Sequence, residues 1–478
     1  MSQSLHKIGV ARELRWLTRG KAGRWLVALL VLAFLRGLLY TFVVPVWQHP
    51  DETTQYEQVR YIAERHKFGD MSTVDLPIRT EIAASMRAHW YWGPTPISLS
   101  DPNLATPGVS AIGVSTFSQP KLYYLVGAAW LTPWLGTSIE VQLWALRGLA
   151  VLLYALVAAP SFLAVRIVYP ENLALAVAAT GLVVFLPGLT DNMSSVNNDV
   201  LTNALAAGIF LISAWVFRRG AGWKSPLLLV LLLAAAVLTK TTALVLVAAV
   251  PFGLALFLLS RPSRTARKLG LGLGALFLVG SVVLGFGLAS GTSSLAGFEA
   301  MLGQYVRADI PKSFQLMVNP GRMGVYLETA GIVFRSFWAV FGWRGVELAP
   351  GWYWVPLAGM IIGAVGLFGF AWRRSAPSRS KPRPWRSGFL GLTVILVVVA
   401  WGLSVLRSQA YQGPKLYLSH GRYAYVAIAP FALLLALGLQ TWIPIRLRPA
   451  SLWIYLAVLV AFDAIAFWGR LVPYYYPA

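Results

Sequence analysis

The chain has no cysteine, five histidines, and only 18 Asp and Glu among 478 residues. Without cysteine there is no disulfide framework, no thiolate metal site and no cysteine nucleophile. The histidines (His6, His49, His66, His89 and His420) lack the close helical pairing of zinc ligands. No phosphate-binding loop, no Gly-x-Ser-x-Gly elbow and no dinucleotide fingerprint occurs. Charged residues make up 12% of the chain, against about 25% in an ordinary soluble domain. That scarcity, with 57% hydrophobic residues, excludes a disordered chain and argues against a soluble globular one.

What the sequence has instead is apolar runs of bilayer length, about 20 residues each. The first lies near Trp25–Val46 and reads as a retained helix, because no small-residue cleavage site accompanies it. Others fall near 143–166, 172–190, 200–217, 225–240, 241–260, 269–289, 353–372, 388–407, 423–443 and 451–470. The expectation is an all-α polytopic membrane helical bundle of about 11 transmembrane helices. It forms a single integral-membrane domain over 1–478, without a soluble C-terminal domain. Two further stretches, Lys121–Leu135 and Tyr326–Trp343, are short, aromatic-rich and interrupted, and read as interfacial or re-entrant helices rather than spans.

The net charge of +22 would suggest nucleic acid in a soluble protein, but its placement does not. Basic residues crowd the short gaps between runs: Lys7 to Arg24, Arg218 to Lys224, Arg261 to Lys268, Arg373 to Arg386, and Arg446 with Arg448. This is the positive-inside bias of a multi-pass protein held at anionic lipid. Residues 1–24 then form a cytoplasmic basic N-terminus, the C-terminus lies outside, and no nucleic-acid partner is expected. Eight of the acids fall between Asp51 and Asp101, in a polar segment, 48–118, that follows the first span and should be extracytoplasmic. Within it Pro50 suits a helix start and Gly69 a helix end. Tyr56, Val59, Ile62 and Ala63 share one face. Ile78, Ile82, Met86 and Trp90 recur every four residues, so two juxtamembrane amphipathic helices are expected. Prolines dominate from Pro94 to Pro107.

Four sets of residues could carry chemistry. Asp51 and Glu52 are adjacent carboxylates just after the first span, suited to general-base work or to a divalent cation. From spacing alone, first-turn helix capping is their commoner use. Lys121, Lys240, Arg344 and Arg422 stand beside apolar runs on the expected outer side, against the charge trend. Singly each could snorkel to the interface; together they suggest a phosphate or diphosphate ligand. Asp191-Asn192 and Asn197-Asn198-Asp199 in a short outer turn can bind hydroxyls, or can serve as ordinary loop and cap residues. Among the aromatics, Trp338 and Trp343 could stack on a sugar, although an interfacial belt accounts for most such residues.

Taken in order, several of these motifs resemble the GT-C superfamily of membrane glycosyltransferases. They are Asp51-Glu52, Pro120-Lys121-Leu122-Tyr123-Tyr124, Asn197-Asn198-Asp199, Leu238-Thr239-Lys240-Thr241, and Gly421-Arg422-Tyr423 running on to Ala429-Pro430. The nearest likenesses are the protein O-mannosyltransferase and lipid A aminoarabinose transferase types. The resemblance covers most of the first 250 residues and 408–440. It departs in lacking the soluble outer domain that many relatives carry. It implies an inverting hexosyl- or pentosyltransferase of the plasma membrane. Such an enzyme takes a sugar from a polyprenyl-phosphate donor to a glycan, lipid or protein hydroxyl on the extracytoplasmic face, among membrane lipids. The resemblance gives Asp51 the role of base. Glu52 would orient the acceptor, hold Asp51 or bind a cation. Lys121, Lys240, Arg422 and Arg344 would hold the phosphate. Tyr123, Asn198, Asp199, Trp338, Trp343, His420 and Tyr423 would face sugar or acceptor. No cofactor is required outright; His49 with Asp51 leaves room for one divalent cation, Mg or Mn. The rivals are a transporter or flippase, and a polymerase or ligase, of lipid-linked glycans. Neither an internal repeat nor a need for the Asp51 position supports them.

Overall fold

The computed structural model describes residues 18–70, 72–93, 112–113, 116–219, 224–259, 267–268, 271–272, 323–375, 384–406 and 419–477. The expected span at 269–289 lies almost wholly outside them, as does the proline-rich Pro94–Pro107 piece. The described helices are α1 Lys21–Val43, α2 Glu52–Arg65, α3 Leu76–Ala88, α4 Leu122–Leu131, α5 Ile139–Val168, α6 Leu173–Phe185, α7 Pro187–Asn192, α8 Asp199–Arg219, α9 Lys224–Thr239, α10 Leu244–Leu259, α11 Met323–Ala339, α12 Trp354–Ser375, α13 Pro384–Leu406, α14 Ile428–Thr441, α15 Arg448–Ala466 and α16 Val472–Tyr475. One two-residue ladder, Val340–Phe341 against Val346–Glu347, is the sole sheet among the described residues.

Eight helical segments are long and apolar enough to cross a bilayer, and Leu173–Phe185 and Lys224–Thr239 are shorter apolar helices. The protein is an all-α, multi-pass membrane protein. These ten segments match ten of the eleven expected runs. The run expected at 172–190 is broken rather than continuous. Pro187 has no N–H to give Val183 and forces Leu186 into an extended conformation (φ −77°, ψ 108°). In a bilayer the freed carbonyls need partners. Tyr154 on α5 donates its hydroxyl to Val183 (2.8 Å) and Val184 (2.9 Å), and Arg36 on α1 donates Nε to Val184 (2.8 Å). Arg36 is balanced by Asp463 on α15 (Nη2 to Oδ1, 2.5 Å), which also accepts from Tyr40 (2.9 Å). Arg36 further donates to Thr190 on α7 (3.2 Å). An ion pair between the first and last long helices therefore fixes the short α7 turn.

The 48–118 segment builds a core of its own. Tyr56, Val59 and Ile62 on α2 and Ile78, Ile82 and Met86 on α3 are buried together with Trp47 and Tyr124. Ion pairs lace α2 to its neighbours: Arg79 with Glu57 (2.5 Å), Arg60 with Glu81 (2.6 Å) and Arg65 with Asp75 (2.7 Å). The Asp75 carboxylate also caps α3 at Ile78, and its bond to Arg65 holds it below the usual carboxylate range. Two expectations shift here. α2 ends at His66 in a left-handed cap rather than at Gly69, and Trp90 lies beyond α3, 77% exposed. The Lys121–Leu135 stretch forms the ten-residue α4 and a three-residue 3-10 turn. At about 15 Å, α4 is too short to span, and its Gly127 packs against Val59. The 326–343 stretch forms α11, which runs directly into the small hairpin.

Candidate active site

Pro50 and Asp51 lead into α2. Asp51 holds a left-handed backbone (φ 64°), and its side chain makes no capping hydrogen bond to the helix. The commoner reading of a first-turn acid is thus set aside at this residue. Its Oδ2 lies 2.5 Å from Arg422 Nη2, across 371 residues of sequence. Arg422 is held in place from behind. The His420 ring Nδ1 accepts the Arg422 N–H (3.1 Å), and the Gly421 N–H donates to Ser336 Oγ on α11 (2.7 Å). Gly421 is required there, because a Cβ would fall 2.1 Å from the Phe337 nitrogen.

Asp199, the first residue of α8, accepts from Lys240 Nζ (2.6 Å), and its other oxygen lies 3.9 Å from Arg422 Nε. Lys240 occupies the extended break between α9 and α10 (φ −158°, ψ 140°), which turns its ammonium toward α8. Lys240 and Arg422 both lie against the Tyr423 ring, at 5.8 and 5.5 Å. The hairpin turn brings in Arg344, with positive φ at Gly342, Trp343 and Arg344. Backbone of this kind persists only where its surroundings enforce it, and it concentrates at functional sites. Burial disfavours the Arg344 charge, partly offset by Glu347; an anion would relieve that cost.

A cavity of about 20 Å³ lies beside Arg422, Arg344 and His420. Pro50, Asp191, Asn192, Ser195, Asn197, Arg344, His420 and Arg422 are among its walls. Its volume suits one water or one ligand oxygen. Burial, with Arg422 and Arg344 adding to it, pushes His420 down to about 3. The imidazole is therefore neutral near pH 7, as its acceptor role at Nδ1 requires. Between about pH 6.5 and 3 the unfolded chain binds a proton that the folded one refuses, so stability falls as pH falls through that window. Thermal unfolding in detergent between pH 7 and 4 should show the slope, and His420→Asn should flatten it.

The structure brings together Asp51, Arg422, Lys240, Asp199, Arg344, His420 and Tyr423 and sets the other expected residues apart. Lys121 donates Nζ to the Gly69 carbonyl (3.3 Å) and to the Phe117 carbonyl, so its ammonium braces the 48–118 segment. Glu52 is fully buried, chelated by Arg147 (2.9 and 2.6 Å) and by the Val196 N–H (3.2 Å). A group so enclosed holds elements in place rather than meeting a substrate. Tyr123 is buried beside Glu52 and the Asn197 backbone. Asn198 donates to Gln119 (3.0 Å). Trp338 is packed among Phe337, Phe431 and Phe462 in the bundle core, with no face for a sugar. Trp343 sits on the hairpin turn beside Tyr91. The reading of the sequence missed Arg147, which interrupts an apolar run and therefore needed a buried partner.

No family model and no curated protein matches the chain. Solved structures of the Archaeoglobus fulgidus oligosaccharyltransferase are similar to it. The complex with zinc and sulfate has 16% identity and a TM-score of 0.47, over 94% of this chain and 52% of that one. The apo form has 14% identity and a TM-score of 0.48, over 94% and 55%. The form tethered to an acceptor peptide has 14% identity and a TM-score of 0.45, over 96% and 55%. The chain spans about half the length of that protein.

Proposed function

We propose that the protein is a GT-C-type glycosyltransferase. It moves a sugar from a polyprenyl-phosphate donor to an acceptor hydroxyl of a glycan, lipid or protein, with inversion, at the outer face of the plasma membrane. The observation that carries the reading is the Asp51–Arg422 pair, with Lys240 joined to Arg422 through Asp199 and Arg344 sharing with Arg422 the wall of one small cavity. A carboxylate and a set of cations so placed suit a proton acceptor opposite an anionic leaving group. Arg422, Lys240 and Arg344 hold the donor phosphate and stabilise the charge that grows on it. The phosphate competes with Asp51 for Arg422, which releases Asp51 Oδ2 toward the acceptor. The acceptor oxygen then attacks the anomeric carbon, its proton passes to Asp51, and the C–O bond to phosphate breaks with its electron pair leaving on phosphate.

A divalent cation near Asp51 does not suit the donor set. No three His, Asp or Glu side chains stand together as ligands among the described residues, and Asp51 and Asp199 each face a cation.

The test is a sugar-transfer assay on the purified protein in detergent, with a panel of polyprenyl-phosphate sugars and a lipid extract as acceptor source. One donor should be consumed. Arg422→Gln should weaken binding of that donor by about 10- to 100-fold, the worth of a hydrogen bond to a charged group. Equal donor binding by wild type and Arg422→Gln would remove the phosphate assignment. Gradient-dependent movement of the donor without consumption would favour a transporter.

A further inference from the structure

The turn between α7 and α8 spends nearly all of its polar groups on itself. Ser194 Oγ donates to the Asp191 carbonyl (2.9 Å) and Ser195 Oγ to the Asn192 carbonyl (2.8 Å). Asn197 donates Nδ2 to the Asn192 carbonyl (3.1 Å) and accepts from the Asp199 N–H at 2.8 Å. The Asn192 side chain accepts from Asn203 (3.4 Å). The Asp191 carboxylate is the exception. The residue is 7% exposed and lines the cavity, yet among the described residues its Oδ1 accepts no hydrogen bond. The nearest ring nitrogen is His49 Nδ1, 3.3 Å from that same oxygen, and the His49 Nε2, also buried, has no partner among the described residues. A buried carboxylate oxygen without a donor is costly. The turn that carries it is anything but loose, since Thr190, one residue before, is held by Arg36 and Tyr154.

We infer that Asp191 is the sugar-reading residue of the site. Its Oδ1 accepts a hydroxyl of the transferred sugar, and His49 Nδ1, 3.3 Å from that same oxygen, steadies the carboxylate. The ligand class is a neutral, hydroxyl-bearing hexose or pentose, whose O–H supplies the hydrogen-bond donor that Asp191 Oδ1 lacks among the described residues. The phosphate stays with the arginines, because an anion at Asp191 would meet like charge. This inference rests on the proposed transferase reading, and the experiment separates the two.

Binding of two probes is measured on the full-length protein in detergent: farnesyl phosphate, and the same lipid phosphate carrying a neutral hexose. Wild type should bind the sugar-bearing probe about 10- to 100-fold more tightly than the bare one. In Asp191→Asn that advantage should shrink to within about threefold, while farnesyl phosphate binds at least as tightly as to wild type. His49→Gln, which removes the brace and leaves the carboxylate, should lose an intermediate part of the advantage. If farnesyl phosphate fails to bind wild type, the transferase reading falls and this inference with it. If it binds but the hexose adds nothing, or its advantage survives in Asp191→Asn, the transferase reading stands and the sugar-reading role falls. Bare-probe binding also serves as the fold control for each variant.

Discussion

Asp51→Asn is expected to lower turnover by about 100- to 10,000-fold, the usual cost of removing a general base, while donor affinity changes only a few-fold. The choice of asparagine follows from the backbone. Asp51 sits at φ 64°, a region that asparagine enters about as readily as aspartate and that alanine enters at a cost of about 1–2 kcal/mol. Asn keeps the size and a carbonyl oxygen for Arg422 but cannot take up the acceptor proton. The fold and the donor site should therefore survive, and the loss should appear in kcat. Single-turnover transfer with saturating donor separates the two. Unchanged turnover would return Asp51 to a purely structural partnership with Arg422. A loss of donor binding as large as the loss of rate would make the pair, rather than the proton, the important feature.

The bundle was legible because its spans are long, apolar and separated by basic gaps. Bilayer physics leaves little alternative to helices for such runs. The exceptions come from single residues whose effect depends on neighbours. Pro187 turned an expected span into a half-span, which the bilayer tolerates because Tyr154 and Arg36 take up the freed carbonyls. The signal was present: Arg36, Arg147 and Asp463 each interrupt an apolar run, and a charge in that position needs a partner. Which charge pairs with which is a tertiary fact. Arg36 and Asp463 lie 427 residues apart, and nothing in their local spacing couples them. The same holds at the site. The cations were legible as a set on one side, yet Lys121 and Arg422 carry the same kind of local evidence. Only the packing of α4 onto α2 shows that the Lys121 ammonium serves the carbonyls of Gly69 and Phe117. Trp338 and Trp343 differ likewise: both are aromatic residues near the expected interface, but one end of α11 is enclosed by α14 and α15 while the hairpin turn is not.

Arg147→Met is expected to be the most destabilising single change on the site's framework, by about 3–5 kcal/mol, because it leaves Glu52 buried and unpaired. Arg147 is fully buried and saturated. Nε and Nη2 grip the Glu52 carboxylate (2.9 and 2.6 Å), Nη1 donates to the Thr41 and Val44 carbonyls (3.0 and 2.8 Å), and Nη2 donates to the Pro45 carbonyl (2.9 Å). Those carbonyls are the unspent C-terminal groups of α1 and the residues just beyond it, where a cation is doubly suited. Glu52 in turn receives the Val196 N–H of the α7–α8 turn. One guanidinium thus ties the end of α1, the start of α2 and the α7–α8 turn to α5. Lysine has three donors and no planar fork, so Arg147→Lys should fall nearly as far as Arg147→Met. The double variant Glu52→Gln with Arg147→Met removes both charges and should recover part of the loss. Thermal unfolding in detergent reads the stability. Transfer activity reads any coupling to Asp51, which immediately precedes Glu52. If activity follows stability through the series, Arg147 acts on the fold alone. If the double variant regains its melting temperature while kcat stays low, the Glu52–Arg147 pair positions Asp51 against Arg422 as well, and the buried charge is retained for geometry rather than for stability.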